Sequence, residues 1–108
     1  RQHQSTERGW RERLVGLGDG DALSFGLAPE PERAIRGDAP LGTVLETPAA
    51  ALDAMSETAR RLAREGGAAL FLDYGYEGPA FGDTLQAVKR HAYADPLAEP
   101  GEADLTSH

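Results

Sequence analysis

The sequence predicts an α/β fold, and three consecutive features carry this prediction. Apolar residues recur at helical spacing between Pro48 and Arg64, the glycines Gly66 and Gly67 follow, and residues 68–72 are then uniformly apolar. A strand that is apolar on both faces is typical of the interior of a parallel sheet. Helix, tight turn and buried strand in this order form half of a βαβ unit. The first strand of that unit is not evident in this sequence.

Residues 1–28 predict a β-hairpin, which we expect to be a separate unit. Residues 1–17 are extended in character and include the β-favouring Trp10. The GDGD sequence at residues 18–21 is a strong turn signal. The return strand carries apolar residues at period two, namely Leu23, Phe25 and Leu27. A lone hairpin is marginally stable in water, so this one needs a surface to pack against.

Residues 29–42 contain three prolines and predict an irregular connection. An α/β unit is then expected over residues 43–108, with its helix at about residues 48–64 and its central strand at about residues 68–73. Thr47 stands before Pro48, and threonine caps a helix well while proline is favoured in the first turn. The apolar stripe of the helix consists of Leu52, Met55, Ala59, Leu62 and Ala63.

The chain becomes loop-rich after residue 72. Open parallel sheets bind ligands beyond the carboxyl ends of their strands. Asp73, Tyr74 and Gly75 fall at that position, so they and the loop up to Asp83 are expected to face a cleft. The alternative is that Asp73 only bonds loop amides. The sequence TLQAVKRHAYA fits either a strand or a helix, and the acidic DPLAEPGEADLTSH fits an ordered loop or a frayed tail.

Composition argues against several classes of function. The formal net charge of −7 opposes a broad nucleic-acid-binding surface, which needs clustered Lys and Arg. The chain has no cysteine, and its three histidines lack partners at metal-ligand spacing, so no metal site is expected. No apolar run approaches the roughly 20 residues of a membrane span. Serine hydrolase and phosphate-loop motifs are absent. These features lead us to expect a bacterial cytoplasmic location.

Three segments carry a family resemblance: TERGWRERLVGL, GGAALFLDYG and GDTLQAVKRHAYADPLAEPGEADLTSH. They resemble the C-terminal half of the MidA-like S-adenosylmethionine-dependent methyltransferases. That family includes the mitochondrial arginine methyltransferase that assists assembly of respiratory complex I. The resemblance runs from Arg1 to His108 and is strongest after Gly66. A single D-Y-G motif is a weak signal. The resemblance is specific because several motifs follow one another in order: G-G-x-x-L-x-x-D-Y-G, G-D-T-L, D-P-L, P-G-E-A-D-L-T and a terminal His.

The resemblance implies a seven-stranded methyltransferase sheet of Rossmann type with a β-hairpin insertion. On that template the strand ending at Asp73 is similar to the fifth strand, and residues 1–28 are similar to an insertion after the fourth. The glycine-rich cofactor loop and the acid that holds the ribose would precede Arg1. This chain would therefore be a fragment that is inactive alone, and S-adenosylmethionine would be bound mainly by residues outside it.

The resemblance also implies methyl transfer to a protein arginine, with a respiratory complex I subunit as one candidate substrate. A guanidinium substrate needs a carboxylate to orient it. No individual catalytic residue is assigned, and a homodimer is left open. The candidates for the cofactor or substrate cleft are Asp73, Tyr74, Gly75, Asp83, Thr84, Asp104 and His108. The alternative hypothesis from another class is a non-catalytic interaction module that binds a protein partner through its acidic surface.

Overall fold

A computed structural model describes residues 1–72 and 81–107 of the chain. Within these residues the protein is a small mixed α/β structure with two antiparallel sheets and one α-helix. The elements in chain order are β1 (Gln2–Thr6), β2 (Gly9–Leu17), β3 (Leu23–Pro31), β4 (Val44–Glu46), α1 (Ala49–Glu65), β5 (Gln86–Lys89), β6 (Ala92–Ala94) and β7 (Asp104–Thr106).

The predicted hairpin is formed by β2 and β3, which pair antiparallel. Its turn is a short 3₁₀ segment, in which Gly20 adopts a φ of 68° that suits glycine. Residues 1–17 are not one strand, however, because Thr6 accepts a hydrogen bond from the Arg8 amide and the chain reverses there. The result is a four-stranded sheet in the order β3-β2-β1-β4. The hairpin therefore pairs with β1, which in turn pairs with β4.

One face of this sheet forms the small core. Trp10 is 5% exposed and lies opposite Ser5 in the register, and His3 is also buried. The predicted irregular connection covers this face, since the Trp10 Nε1–H donates to the Gly37 carbonyl at 2.8 Å and the Ser5 hydroxyl donates to that of Ala39 at 2.9 Å. The connection begins after β3, which extends to Pro31, and it is an ordered part of the packing.

The helix lies close to its predicted position, at Ala49–Glu65. The predicted Thr47 cap is wrong: Pro48 occupies the cap position, no side chain caps the helix, and the Leu52 amide bonds the Pro48 carbonyl. Gly66 ends the helix at a φ of 75°. No residue of α1 is buried, and Leu52 is 61% exposed. The apolar stripe therefore lacks a cover among the residues that the structure describes.

The predicted central parallel strand is not formed by residues 68–72. This segment belongs to neither sheet, and Leu70 and Leu72 are 83% and 88% exposed. The last residue of the prediction, Asp73, lies outside the described residues. A buried parallel strand needs neighbours on both sides, and both sheets of the described chain are antiparallel. A seven-stranded Rossmann-like sheet is accordingly not seen in this structure.

A second, three-stranded sheet in the order β6-β5-β7 forms near the end of the chain. Ala87 of β5 is 1% exposed and lies between Ala94 and Leu105. The β5–β6 turn places Arg90 and His91 at φ values of 52° and 64°, as a type I′ turn requires. The segment that fitted either a strand or a helix is thus a β-hairpin. The acidic segment is ordered and contributes β7.

Candidate functional site

Residues 81–85, which we call the strap, cross the free edge of the four-stranded sheet. On the core face, the Phe81 ring stacks on Trp10 with 6.1 Å between centroids and 15° between planes. The Gly82 amide donates to the Val44 carbonyl of the edge strand β4 at 2.9 Å. Asp83 contacts Arg13, whose position in β2 is on the face opposite Trp10. The strap therefore attaches to both faces of the sheet.

On the second face, five side chains form what we call the polar cluster: Gln2, Arg13, Glu46, Asp83 and Thr84. The sheet register sets Gln2 between Arg13 of β2 and Glu46 of β4. The Gln2 Nε2 donates to Glu46 Oε1 at 2.8 Å and to Asp83 Oδ1 at 2.7 Å. Arg13 Nη1 donates to Gln2 Oε1 at 3.2 Å and forms an ion pair with Asp83. Residues far apart in sequence thus share one network.

The strap donates further hydrogen bonds to the two carboxylates of this cluster. Thr84 donates to Glu46 twice, from its hydroxyl to Oε2 at 2.6 Å and from its amide to Oε1 at 3.1 Å. The Leu85 amide donates to Asp83 Oδ1 at 3.1 Å. Both carboxylates therefore accept several hydrogen bonds from within the chain. Each is already engaged in holding the strap.

The environment of these two acids favours their charged form. For Asp83, partial burial acts to raise the pKa, but hydrogen bonds from Arg13, Gln2 and the Leu85 amide, together with the Arg13 charge, lower it on balance. For Glu46, burial also acts to raise the pKa, and the bonds from Thr84 and Gln2 outweigh it. Asp83 and Glu46 are therefore anionic at neutral pH and suited to hold a cation or amide donors.

A cleft of about 620 Å³ lies beside the polar cluster. Its walls are the second face of the sheet, the beginning of α1 at Pro48 and the end of the strap at Leu85. The Arg13 guanidinium sits 3.8 Å from the centroid of the Phe25 ring, a cation–π contact within the cleft lining. Most of the lining surface is apolar, and its charged side chains are Arg1, Arg13 and Glu46. The cleft therefore suits an apolar group with a polar end.

The structure brings together only some of the residues predicted for the site. Asp83 and Thr84 lie in the polar cluster, whereas Asp104 lies in β7 opposite Val88 and is not part of the cleft lining. Four predicted residues lie outside the described residues, namely Asp73, Tyr74, Gly75 and His108. The sequence prediction missed Gln2, Arg13 and Glu46. No local motif marks them, since their association depends on strand register.

The described residues do not provide a site that fits S-adenosylmethionine. The Glu46 and Asp83 carboxylates are committed to Gln2, Thr84 and Arg13 and are not open to ribose hydroxyls. The parallel strand edge at which such cofactors bind is also not formed here. Among residues 1–72 and 81–107 there is no group of three or more potential metal ligands. Within the same residues, no helix has the length and hydropathy to span a membrane.

Comparison with known proteins identifies a family over the whole chain. Residues 1–108 match the family described as "Putative S-adenosyl-L-methionine-dependent methyltransferase". The mouse protein named "Protein arginine methyltransferase NDUFAF7, mitochondrial" is 40% identical over 109 residues, which cover 96% of this chain and 24% of the relative. The human protein of that name is 38% identical with the same coverage. A Drosophila melanogaster homologue is 53% identical over 49 residues, or 45% of this chain and 11% of the relative.

These matches correct one expectation and identify the family. The relatives that match 96% of this chain are named as mitochondrial proteins. Their names contradict the bacterial cytoplasmic location that was expected from the sequence. A sequence without cysteine and without a visible targeting signal is compatible with several compartments, so these features do not identify the location of the protein. The chain spans about a quarter of the length of these relatives. It belongs to the family of S-adenosyl-L-methionine-dependent methyltransferases that includes the proteins named arginine methyltransferase NDUFAF7.

Proposed function

We propose that this chain is part of an S-adenosylmethionine-dependent methyltransferase that methylates arginine side chains of a protein. The observation that carries the proposal is the family match over every residue of the chain. The names of the relatives supply the substrate class, since they are protein arginine methyltransferases. The family resemblance extends the proposal to a respiratory complex I subunit as one candidate substrate. Independently of the resemblance, a homodimer is one candidate assembly, with the hairpin of residues 1–28 as its contact.

The proposed architecture is a seven-stranded Rossmann-like sheet to which this chain contributes residues 43–108. Residues 1–28 would be the hairpin insertion, whose last strand the structure extends to Pro31, and the following residues up to 42 would be the connection. Two exposed apolar surfaces support this arrangement, the stripe of α1 and the segment that contains Leu70, Phe71 and Leu72. Apolar surface of this extent is normally covered. In this arrangement residues 68–73 become an interior strand that is flanked by strands from the rest of the protein.

In this proposal S-adenosylmethionine is bound mainly by residues outside the chain, and it supplies an electrophilic methyl group when bound. This chain alone is therefore proposed to be inactive. Asp73, Tyr74 and Gly75 remain candidates for the cleft edge, and Asp104 and His108 for the substrate side. A guanidinium needs a carboxylate partner, and an arginine that is oriented by two hydrogen bonds is well placed to react. Asp83 and Thr84 are instead proposed to hold the strap, because their side chains already have partners.

The test uses the full-length protein and isotopically labelled S-adenosylmethionine. Calorimetry is expected to show binding at micromolar strength. Asp73→Ala is expected to lower methyl transfer while the circular dichroism spectrum stays unchanged. Asp53→Ala, on the exposed surface of α1, is the matched control and is expected to transfer methyl groups at the normal rate. Unchanged transfer by Asp73→Ala would remove this residue from the site.

A non-catalytic interaction module is the second candidate. It is favoured by the net charge of −7 and by the absence of a fitting cofactor site within the described part of the chain. An acidic surface attracts basic partners. The same calorimetry separates the two functions, since failure of the full-length protein to bind S-adenosylmethionine at millimolar concentration would leave the interaction module as the better account.

A further inference from the structure

The outer edge of β3 faces no neighbouring strand in the described part of the chain. β3 is the last strand in the order β3-β2-β1-β4. The other edge of this sheet differs, because the Gly82 amide of the strap bonds to the Val44 carbonyl of β4. Unpaired N–H and C=O groups along a strand edge form a template for pairing with another strand. The edge of β3 is therefore open to such pairing.

The two ends of β3 differ in their resistance to pairing. Near the end of the strand, Pro29 and Pro31 have no N–H, and Glu30 between them is charged. Proline and charge are devices by which edge strands avoid association. Residues 22–28 contain neither. Pairing is thus opposed at one end of β3 and unopposed over the rest of the strand.

The hydrogen bonds to β2 determine which residues of β3 point outward. The Gly18 amide bonds to the Ala22 carbonyl at 2.7 Å, so Gly18 and Ala22 are a hydrogen-bonded pair of the hairpin. Such pairs alternate along an antiparallel ladder, so Ser24 and Gly26 also bond to β2. The outward-facing backbone groups belong to the residues that alternate with these, which are Leu23, Phe25 and Leu27.

These three residues, which we call the outer triplet, also place their side chains on one face of the sheet. Phe25 lies opposite Val15 in the register and Leu27 lies opposite Arg13, on the face away from Trp10. Val15 is 51% exposed, so apolar surface of this face is accessible beside the edge. A strand that pairs with the outer triplet therefore meets both backbone partners and apolar side chains.

A second copy of β3 matches this edge when the two strands run antiparallel about a two-fold axis at Phe25. In that register Phe25 pairs with Phe25 of the second copy, and Leu23 pairs with Leu27. Every residue of the outer triplet is then hydrogen-bonded, which gives about six bonds between the copies. Shifting one strand by two residues, the next register that the alternation allows, sets Leu27 opposite the turn or Leu23 opposite Pro29. The register centred on Phe25 thus uses the edge most completely.

We propose that β3 pairs antiparallel with β3 of a second copy of this chain, centred on Phe25, so that the two four-stranded sheets form one continuous sheet. The inference rests on the homodimer named above as a candidate assembly, and it adds the strand and the register. A two-fold contact of this kind is self-complementary and closes after two copies. Cross-strand contacts between the two Phe25 rings, and between Leu23 and Leu27, add to the backbone bonds.

The first test measures the mass of the full-length protein by analytical ultracentrifugation over a range of concentrations. The wild type is expected to change from monomer to dimer as the concentration rises. Phe25→Lys and Phe25→Glu each set like charges opposite each other at the two-fold axis, so the dimer dissociation constant is expected to rise roughly tenfold or more in either variant alone. An equimolar mixture of the two variants is expected to form a heterodimer, because opposite charges then meet.

A control variant and a measurement on the wild type accompany this test. Leu14→Lys adds a charge at an exposed position of β2, away from the edge, and is expected to dimerise like the wild type. Circular dichroism shows whether each variant is folded. In the wild type, amides of the outer triplet are expected to exchange roughly tenfold more slowly in concentrated than in dilute protein. The amides of Ser24 and Gly26, which bond to β2, are expected to exchange slowly at both concentrations.

Each of the other outcomes would overturn the proposal. A wild type that stays monomeric would exclude the dimer, and slow exchange of the outer triplet at every concentration would show that another part of the full-length protein covers the edge. A dimer that persists in folded Phe25→Lys, or a mixture that does not associate, would place the contact elsewhere. Calorimetry with S-adenosylmethionine is read separately. A monomer that binds the cofactor would overturn the dimer alone, whereas a dimer that does not bind it would overturn the proposed enzyme alone.

Discussion

Replacing Trp10 with alanine is expected to remove much of the stability of the four-stranded sheet. Trp10 is 5% exposed, and a tryptophan side chain buries on the order of 200 Å², worth about 5 kcal/mol at about 25 cal/mol per Å². This is an upper value, because Phe81 can move into part of the space. Measured losses for such truncations are about 3–5 kcal/mol. We therefore expect a loss of about 4 kcal/mol for Trp10→Ala.

The assay is urea unfolding of the full-length protein followed by circular dichroism, with amide exchange in β1 and β2 to locate the effect. Trp10→Phe keeps most of the apolar area but loses the bond to Gly37, so a smaller loss of about 1–2 kcal/mol is expected. Leu17→Ala, in the same strand but 72% exposed, is the control and should change the free energy of unfolding by less than about 0.5 kcal/mol. A loss below about 1 kcal/mol for Trp10→Ala would refute the reasoning.

Three other changes give further tests. The lowered pKa values of Glu46 and Asp83 stabilise the fold fully above their ordinary values of 4.5 and 3.8, and this stability is lost as the pH falls through the lower native values. Urea midpoints across this range should decline less in a Glu46→Gln, Asp83→Asn double variant, and equal declines would contradict the assignment. Replacing Arg90 by Asn and His91 by Gly should raise the thermal midpoint, with a gain of about 0.5–1 kcal/mol, because both positions have positive φ; no gain would argue against the type I′ turn. Gly66→Ala should cost about 1–3 kcal/mol, since its φ of 75° and ψ of −176° suit only glycine. Faster amide exchange at the end of α1 in the variant would show this loss. An exchange rate equal to that of the wild type would contradict it.

Features set by neighbouring residues could be predicted from the sequence. The GDGD turn and the alternation after it predicted the β2–β3 hairpin, and the stripe before Gly66 predicted α1 to within one residue at each end. The β5–β6 hairpin remained undecided, because its turn uses Arg90 and His91 in a conformation that glycine or asparagine usually marks. Local sequence signals are sufficient to predict a turn only when its residues are of the types that usually adopt the required backbone conformation.

Features that depend on distant partners could not be predicted. The polar cluster joins Gln2 to Asp83, which are 81 positions apart, and only the register of β1 against β2 and β4 brings them together. Residues 68–72 show the converse, since their apolar pattern predicts burial but the described chain provides no sheet to bury them. An apolar pattern indicates that a segment is suited to burial. Whether the segment is buried depends on the strands that pair with it.

The exposure of residues 70–72 has a practical consequence for producing this chain in isolation. Leu70, Phe71 and Leu72 are 83%, 59% and 88% exposed, and the segment from Ala68 carries no charge and no proline. Short β-prone segments of this composition self-associate when they are left uncovered. Expressed alone, the chain should accumulate as insoluble aggregates, and a lysine or glutamate at position 70 should increase its soluble yield.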